Sequence, residues 1–258
     1  MARIGFLGTG EIASAMVSTI AGDDHEILVS ERNLRISGDL SHRFDTVGRA
    51  PNETVVAQSD IVVLCLLADV ALETLPHLPF REGQTVISVM AGMSVKEITD
   101  LCAPAREIAV AIPLPILPLG GTPLVAYPET AALDALFGSH ASIHHCTSEE
   151  ALNAHFAATG LLLPILDQIS VAAGWLAGFT EDRGAAEAYL AALLGGYCRL
   201  LGHSPDIDLG ELRRGLSTEG GLNQTLSAAL ASNGTPEALE AGLDGFRARL
   251  GLSEKRRR

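Results

Sequence analysis

Gly8-Thr9-Gly10-Glu11-Ile12-Ala13 sets two glycines and an alanine at the spacing G-x-G-x-x-G/A. Each position has a physical task. The first small residue permits a tight turn, the second lets the backbone approach a pyrophosphate, and the third lets a helix pack closely on a strand. A helix starting at Glu11 would offer unpaired N–H groups and the positive end of its dipole to the phosphates. Such a pattern carries weight only after a strand and before a helix. Residues 3–7 are apolar after Arg3 and run into Gly8. Residues 11–20 place Ile12, Ala15, Met16, Thr19 and Ile20 at helical spacing. Residues 26–30 read as a second strand ending at Ser30-Glu31. The expected ligand of this strand–turn–helix–strand unit is a dinucleotide.

The end of the second strand bears on which dinucleotide. Glu31 lies about 20 residues past the glycines, where a carboxylate holds the ribose 2′-OH of NAD. Arg32 follows, able to stack on adenine and pair with a 2′-phosphate. Ser30 and Asn33 can add hydrogen bonds. Glu31 argues for NADH; Ser30, Arg32 and Asn33 argue for NADPH. The balance leans slightly to NADPH.

The surrounding pattern predicts further strands at 54–57, 61–67, 85–90 and 107–112, with helices at 69–75 and 95–101. Two more strands, at 124–127 and 141–146, flank a helix at 129–137. Alternating strands and helices imply a doubly wound parallel sheet of the Rossmann type, helices on both faces. After Thr147 the pattern becomes wholly helical: Ser148 reads as a cap before Glu149-Glu150, and Ala/Leu-rich helices follow at 187–201, 209–216, 222–231 and 236–250. The expected fold is therefore α/β over residues 1–147, followed by an all-helical domain over 148–258.

Composition narrows the partners. Of 258 residues 47% are hydrophobic and 19% charged, and the net charge is −13. An acidic chain repels phosphate backbones, so no nucleic-acid partner is expected. The basic run 255–258 reads as a solvated tail. Cys65, Cys102, Cys146 and Cys198 form no C-x-x-C pair, which fits free thiols in a reducing compartment. The apolar stretch 161–169 is broken by Pro164 and Asp167, so no membrane span is expected, and with no leader pattern the expected location is cytoplasmic.

The order of these features resembles the pyrroline-5-carboxylate reductases. Residues 5–15 look like that family's G-F-I-G-x-G-x-M-A-x-A opening, and Ser30-Glu31-Arg32-Asn33 is similar to its S-N-R-S segment. Residues 59–64 look like its A-D-V-V-x-L, and residues 87–93 resemble its I-S-x-x-A-G-I. The resemblance implies an NAD(P)H-dependent reduction of a cyclic imine, with helical domains interlocked in a homodimer and the substrate between the nicotinamide and those helices. It implies coenzyme contacts from Gly8, Thr9, Gly10, Glu11, Ile12, Ser30, Glu31, Arg32, Asn33, Leu66, Leu67, Ala91 and Pro113.

Several signature positions differ. The family's V-K-P is Leu66-Leu67-Ala68, its R-x-M-P-N-T-P is residues 110–116 without the arginine or asparagine, and its G-S-G-P-A-Y is residues 172–177 with Trp175. Its P-G-G-T-T turn is Glu219-Gly220-Gly221-Leu222-Asn223, so the paired hydroxyls that would hold a substrate carboxylate are missing. An unpaired buried charge is costly. Backbone N–H groups of Gly220-Gly221 are the candidate replacement, as an anion nest, with Asn223 and Gln224 standing in for the hydroxyls. Trp175, Gly220, Gly221 and Asn223 are the expected substrate contacts, and Asn223, Gln224 and Trp175 the candidates near the chemistry.

Lysine usage separates reaction types. Lys96 and Lys255 are the only lysines, and neither falls early in the helical half, where β-hydroxyacid dehydrogenases carry their catalytic lysine. That counts against an alcohol substrate and for an imine. No metal is expected from His140, His144, His145 and Cys146: on a strand His144 and Cys146 would point one way and His145 the other, so they cannot converge without a second contributor. Two other readings remain open, a deazaflavin-dependent NADP reductase relative and a nucleotide-binding regulatory or scaffold protein without catalysis.

Overall fold

The central strand β1 (Arg3–Leu7) is buried from Ile4 onward, because it has a strand on each edge and helices on both faces. The computed structural model describes residues 1–203 and 208–254; the basic run 255–258 lies outside them. In the first unit, β1 leads through α1 (Glu11–Ile20) to β2 (Glu26–Ser30), then α2 (Leu34–Arg43), β3 (Val47–Ala50), α3 (Asn52–Gln58) and β4 (Ile61–Leu64). There follow α4 (Ala68–Thr74), β5 (Thr85–Ser88), α5 (Val95–Leu101), β6 (Glu107–Ile112), β7 (Thr122–Tyr127), α6 (Ala131–Phe137) and β8 (Ala141–His145). They form one eight-stranded sheet in the order β3-β2-β1-β4-β5-β6-β7-β8. All neighbours are parallel except β6 and β7.

The expected α/β architecture is present, with two local differences. Residues 54–57 are part of helix α3, and the third strand is Val47–Ala50 instead. Thr54, Val55 and Val56 are β-branched and read as strand, but Val55 and Val56 are needed as a buried helical face. Gly5 makes room for that face: a Cβ there would lie 2.5 Å from Ser59 Oγ and 2.7 Å from Val55. The second difference is α2, a mostly polar helix that buries only Ser37 and Leu40 and so gives little apolar periodicity.

Two apolar clusters cover the two faces of the sheet. One gathers Phe6, Met16, Val17, Ile20, Leu133 and Phe137 under α1 and α6. The other gathers Leu7, Val55, Val62, Ile98 and Phe80 under α3, α4 and α5. At the opposite end from the glycine turn, Gln84 is fully buried. Its amide donates to Val56 O (2.7 Å) and Ser59 O (2.8 Å) and accepts from Arg81 N (2.7 Å).

The chain divides into two compact units within α7 (Glu149–Thr159), at Phe156, and residues from 247 onward return to the first. The expected boundary at Thr147 falls just before that helix. The second unit continues with α8 (Leu162–Thr180), α9 (Arg183–His203), α10 (Leu209–Leu216), α11 (Leu222–Ser232) and α12 (Thr235–Asp244). Among its described residues only Ala157, Ala173 and Ala186 are buried. Leu163, Leu166, Val171, Trp175, Phe179 and Leu226 are all exposed. By length and composition the run Glu149–Thr180 is long and apolar enough to cross a bilayer, a property that Pro164 and Asp167 do not remove.

Gln84→Ala is expected to remove the side-chain bonds to Val56 O, Ser59 O and Arg81 N, of which Ser59 O keeps the Arg81 guanidinium, and to cost about 2 kcal/mol. A lower urea midpoint with an unchanged slope would show it; an unchanged midpoint would contradict the role given to Gln84.

Candidate functional site

Parallel strands place all their carboxyl ends on one edge of the sheet, and most of the expected coenzyme contacts follow those ends. Gly8 follows β1, Ser30 ends β2, Leu66 and Leu67 follow β4, Ala91 follows β5 and Pro113 follows β6. The strand order reverses between β1 and β4, which pair directly, so connections leave to opposite sides and open a crevice there.

The glycine turn is shaped by close backbone approach. Gly8 has φ +87°, and a Cβ on it would sit 2.4 Å from the Cys65 carbonyl oxygen. Only glycine fits. Gly10 stands at the N-cap of α1 with no side-chain cap, and a Cβ there would meet nothing within 4 Å. The first intrahelical bond runs from Ser14 N to Gly10 O. The N–H groups of Glu11, Ile12 and Ala13 therefore have no partner within the helix. An uncapped helix end beside an open backbone suits a pyrophosphate, so these residues fit a dinucleotide. Ala13 is fully buried where the helix meets the sheet.

Two residues expected as ligand contacts turn out to brace this turn. Ser30 is buried, and its hydroxyl accepts from Gly8 N at 2.9 Å. Thr9, also buried, donates its hydroxyl to Ser30 O at 2.6 Å. The side chains of Ser30 and Thr9 thus fasten β1 to β2, and their hydroxyls are engaged within the chain. Asn33 caps α2, its side-chain oxygen accepting from Ile36 N at 3.2 Å; its amide nitrogen stays available. Glu31 and Arg32 are exposed beside it. Arg35, exposed in the first turn of α2, is a further cation at this strand end that the unread helix concealed. Its signal was present as an Asn cap followed by Leu34, Ile36 and Leu40.

Past the crevice, Leu66 is half-buried on the second apolar cluster, whereas Leu67 at the N-cap of α4 is 78% exposed. Ala91 is exposed and Pro113 buried. Burial pushes the Cys65 thiol up to about 12, so it stays a neutral thiol beside the turn. Cys146 lies 3.7 Å from His155 Nδ1, but that nitrogen donates to Ala151 O at 2.7 Å and cannot act as its base. Lys96 is 84% exposed and tied to Asp100 at 2.6 Å, which suits no catalytic base; Lys255 is outside the described residues.

The helical unit carries the remaining candidates. Trp175 on α8 is 70% exposed, its ring 4.9 Å from that of Phe179. Asn223 and Gln224 lie in the first turn of α11, after Gly220 with φ +70° and Gly221 at the N-cap. The expected anion nest is already occupied by the chain itself. Gly220 N donates to Gln224 Oε1 at 2.9 Å, and Gly221 N donates to Thr218 O at 2.9 Å. The Gln224 side-chain oxygen is thereby bound to the turn before its own helix and is not a free stand-in for a hydroxyl.

Of the imidazoles and thiol considered for a metal, only His145 belongs, among the described residues, to a group of three possible ligands: Glu129, Asp134 and His145 bring ligand atoms within 4.8 Å of one another. His145 Nε2 and Asp134 are 3.0 Å apart, an ordinary ion-pair distance that needs no cation. His140 is paired with Asp23 at 2.9 Å.

Residues 3–92 match the family model described as NADP oxidoreductase coenzyme F420-dependent. No curated protein sequence matches the chain. Among solved structures, 1-pyrroline-5-carboxylate reductase from Streptococcus pyogenes is similar at 18% identity and TM-score 0.79, over 97% of this chain and 99% of that one. Plasmodium falciparum pyrroline carboxylate reductase with NADP bound is similar at 17% identity and TM-score 0.74, over 96% and 98%. An imine reductase from Aspergillus terreus, in complex with NADPH4 and dibenz[c,e]azepine, gives 17% identity and TM-score 0.52, over 98% and 88%. The resemblance read from the motifs thus extends to the fold of nearly the whole chain, a Rossmann-type sheet followed by a helical C-terminal region.

Gly8 and Gly10 should separate fold from ligand. Gly8→Ala is expected to destabilise the protein by more than about 1 kcal/mol, because it combines a positive φ with a clash. Gly10→Ala should leave the melting temperature in place yet weaken binding of the dinucleotide tested, NADPH or NADH, about tenfold or more by blocking pyrophosphate approach. Equal stability loss in both variants would refute this division of labour.

Proposed function

We propose that this chain is an NAD(P)H-dependent reductase of a small imine-type substrate, acting as a cytoplasmic homodimer. The observation that carries the reading is the uncapped N-terminus of α1 opening beside Gly10 at the strand-order reversal. When bound, the reduced nicotinamide supplies the hydride; the protein's part is to place the coenzyme and substrate and to exclude water. A protonated imine accepts hydride at carbon and becomes an amine that already carries its proton, so no general base is required. This agrees with a described chain whose one lysine is exposed and ion-paired.

NADPH is favoured over NADH. Arg32 and Arg35 are both exposed at the end of β2, and Asn33 keeps donors there, whereas Glu31 is the one carboxylate opposing a 2′-phosphate. The homodimer reading is supported by the nearly coreless helical unit: a second copy of the same apolar faces would bury what α8 and α9 leave exposed. The substrate is proposed to lack a carboxylate anchored at the 218–221 turn, since the donors of that turn are spent on Gln224 and Thr218. A second reading is favoured by the family model over residues 3–92: a deazaflavin-dependent NADP reductase, sharing the nucleotide unit.

Following NADPH oxidation with 1-pyrroline and with 1-pyrroline-5-carboxylate tests the reaction. Turnover is expected, with 1-pyrroline at least as good a substrate as its carboxylated analogue. Strict dependence on the carboxylate would overturn the substrate proposal; reduction of a deazaflavin instead of either imine would favour the second reading, and tight coenzyme binding without any turnover would favour a regulatory protein. Arg32→Ala and Arg35→Ala should each weaken NADPH about tenfold while leaving NADH nearly unchanged. Light scattering should give twice the chain mass at micromolar concentration; a monomer, or material recovered only with detergent, would contradict the dimer.

A further inference from the structure

The last described segment, residues 247–254, belongs to the nucleotide unit, although it follows the helical unit in sequence. Leu250 is buried there. The Arg249 carbonyl oxygen lies 3.9 Å from where a side chain on Gly92 would begin. Ser253 donates its N–H to Glu150 Oε1 at 2.9 Å and its hydroxyl to the same oxygen. The adjacent Glu149 accepts from Val95 N at 2.7 Å, the first residue of α5. Two consecutive carboxylates at the start of α7 therefore hold the helix that follows the 89–94 loop and the segment that lies against that loop.

The loop itself has two anchors and a free tip. Met90 and Met93 are buried, while Ala91 and Gly92 are exposed and Gly92 has φ +83°. If the adenosine half of a dinucleotide lies over β2, its nicotinamide half must lie on the β4–β5 side of the reversal, at this loop. A glycine tip with little packing of its own is mobile unless something fixes it, and fixing it on binding costs affinity. The burial of Leu250 and the Ser253–Glu150 bonds tie down a segment whose Arg249 carbonyl faces that tip before any ligand arrives.

We propose that residues 247–254 act as a positioning strap, secured by Glu150, that holds Ala91-Gly92 in place for the nicotinamide half of the coenzyme. This rests on the coenzyme reading above. Ser253 and Leu250 act through the loop and are positioning residues, not catalytic ones.

The test compares two ligands on the full-length chain: the whole reduced coenzyme, and its adenosine half alone, as 2′,5′-ADP or 5′-ADP according to which coenzyme binds. Leu250→Ala and Ser253→Ala are expected to weaken the whole coenzyme about fivefold, or roughly 1 kcal/mol, and to leave the adenosine half within about twofold. Ser253→Thr, which keeps the hydroxyl, should restore wild-type affinity. A parallel loss for both ligands would mean a general structural role and overturn the strap, as would no loss for either. Should Leu250→Ala fail to fold, the Ser253 pair decides alone, since its bonds lie at the surface. If the wild-type chain binds the adenosine half but gains nothing from the nicotinamide half, the strap fails while the glycine turn stands. If it binds neither, the coenzyme reading fails and the strap with it.

Discussion

The approach of Gly8 to the carbonyl of Cys65 is the constraint on which the nucleotide unit turns. It exists because β1 and β4 are direct neighbours whose chains leave the sheet in opposite directions. At van der Waals distance there is no room for a Cβ, and the positive φ forbids one independently. The turn then delivers Gly10 and the first N–H groups of α1 to the crevice. Ser30 and Thr9, by bonding across from β2, keep the turn from relaxing. The polarity buried at this site is spent on shaping the backbone, and the backbone is what meets the phosphates.

Sheet and helical unit obey different economies. In the first, strands are covered on both faces and two apolar clusters account for nearly every large buried side chain. In the second, long Ala/Leu-rich helices leave their leucines and aromatics exposed, with three buried alanines among the described residues. Hydrophobic burial is roughly proportional to area, so a helical unit of this kind has little to stabilise it in isolation. That is the physical ground for treating its exposed faces as surfaces that want a partner.

The turn before α11 illustrates how a local hydrogen bond decides chemistry. Gly220 and Gly221 have the residue types of an anion nest, but Gln224 reaches back to Gly220 N and the Thr218 carbonyl takes Gly221 N. A donor engaged within the chain offers an incoming carboxylate little. The same logic separates Lys96 from a catalytic lysine, since its charge is neutralised on the surface by Asp100, one helical turn away.

The sequence alone determined the parts governed by short-range pattern. Glycine spacing, buried apolar runs and the change to unbroken helical periodicity after Thr147 suffice for a dinucleotide turn, a doubly wound sheet and a helical second half, because strand and helix periods are local properties. Tertiary structure decided what local pattern leaves degenerate. Val55 and Val56 are β-branched yet helical, because Gly5 on the neighbouring strand offers them a surface. Helix α2 is too polar to announce itself, and with it went Arg35. Ser30 has the chemistry of a phosphate ligand but is consumed by Gly8, twenty-two residues away. Residues 247–254 rejoin the first unit across the whole helical region. In each case a group's role depends on which distant atom satisfies it first, and that is fixed only when the chain has folded.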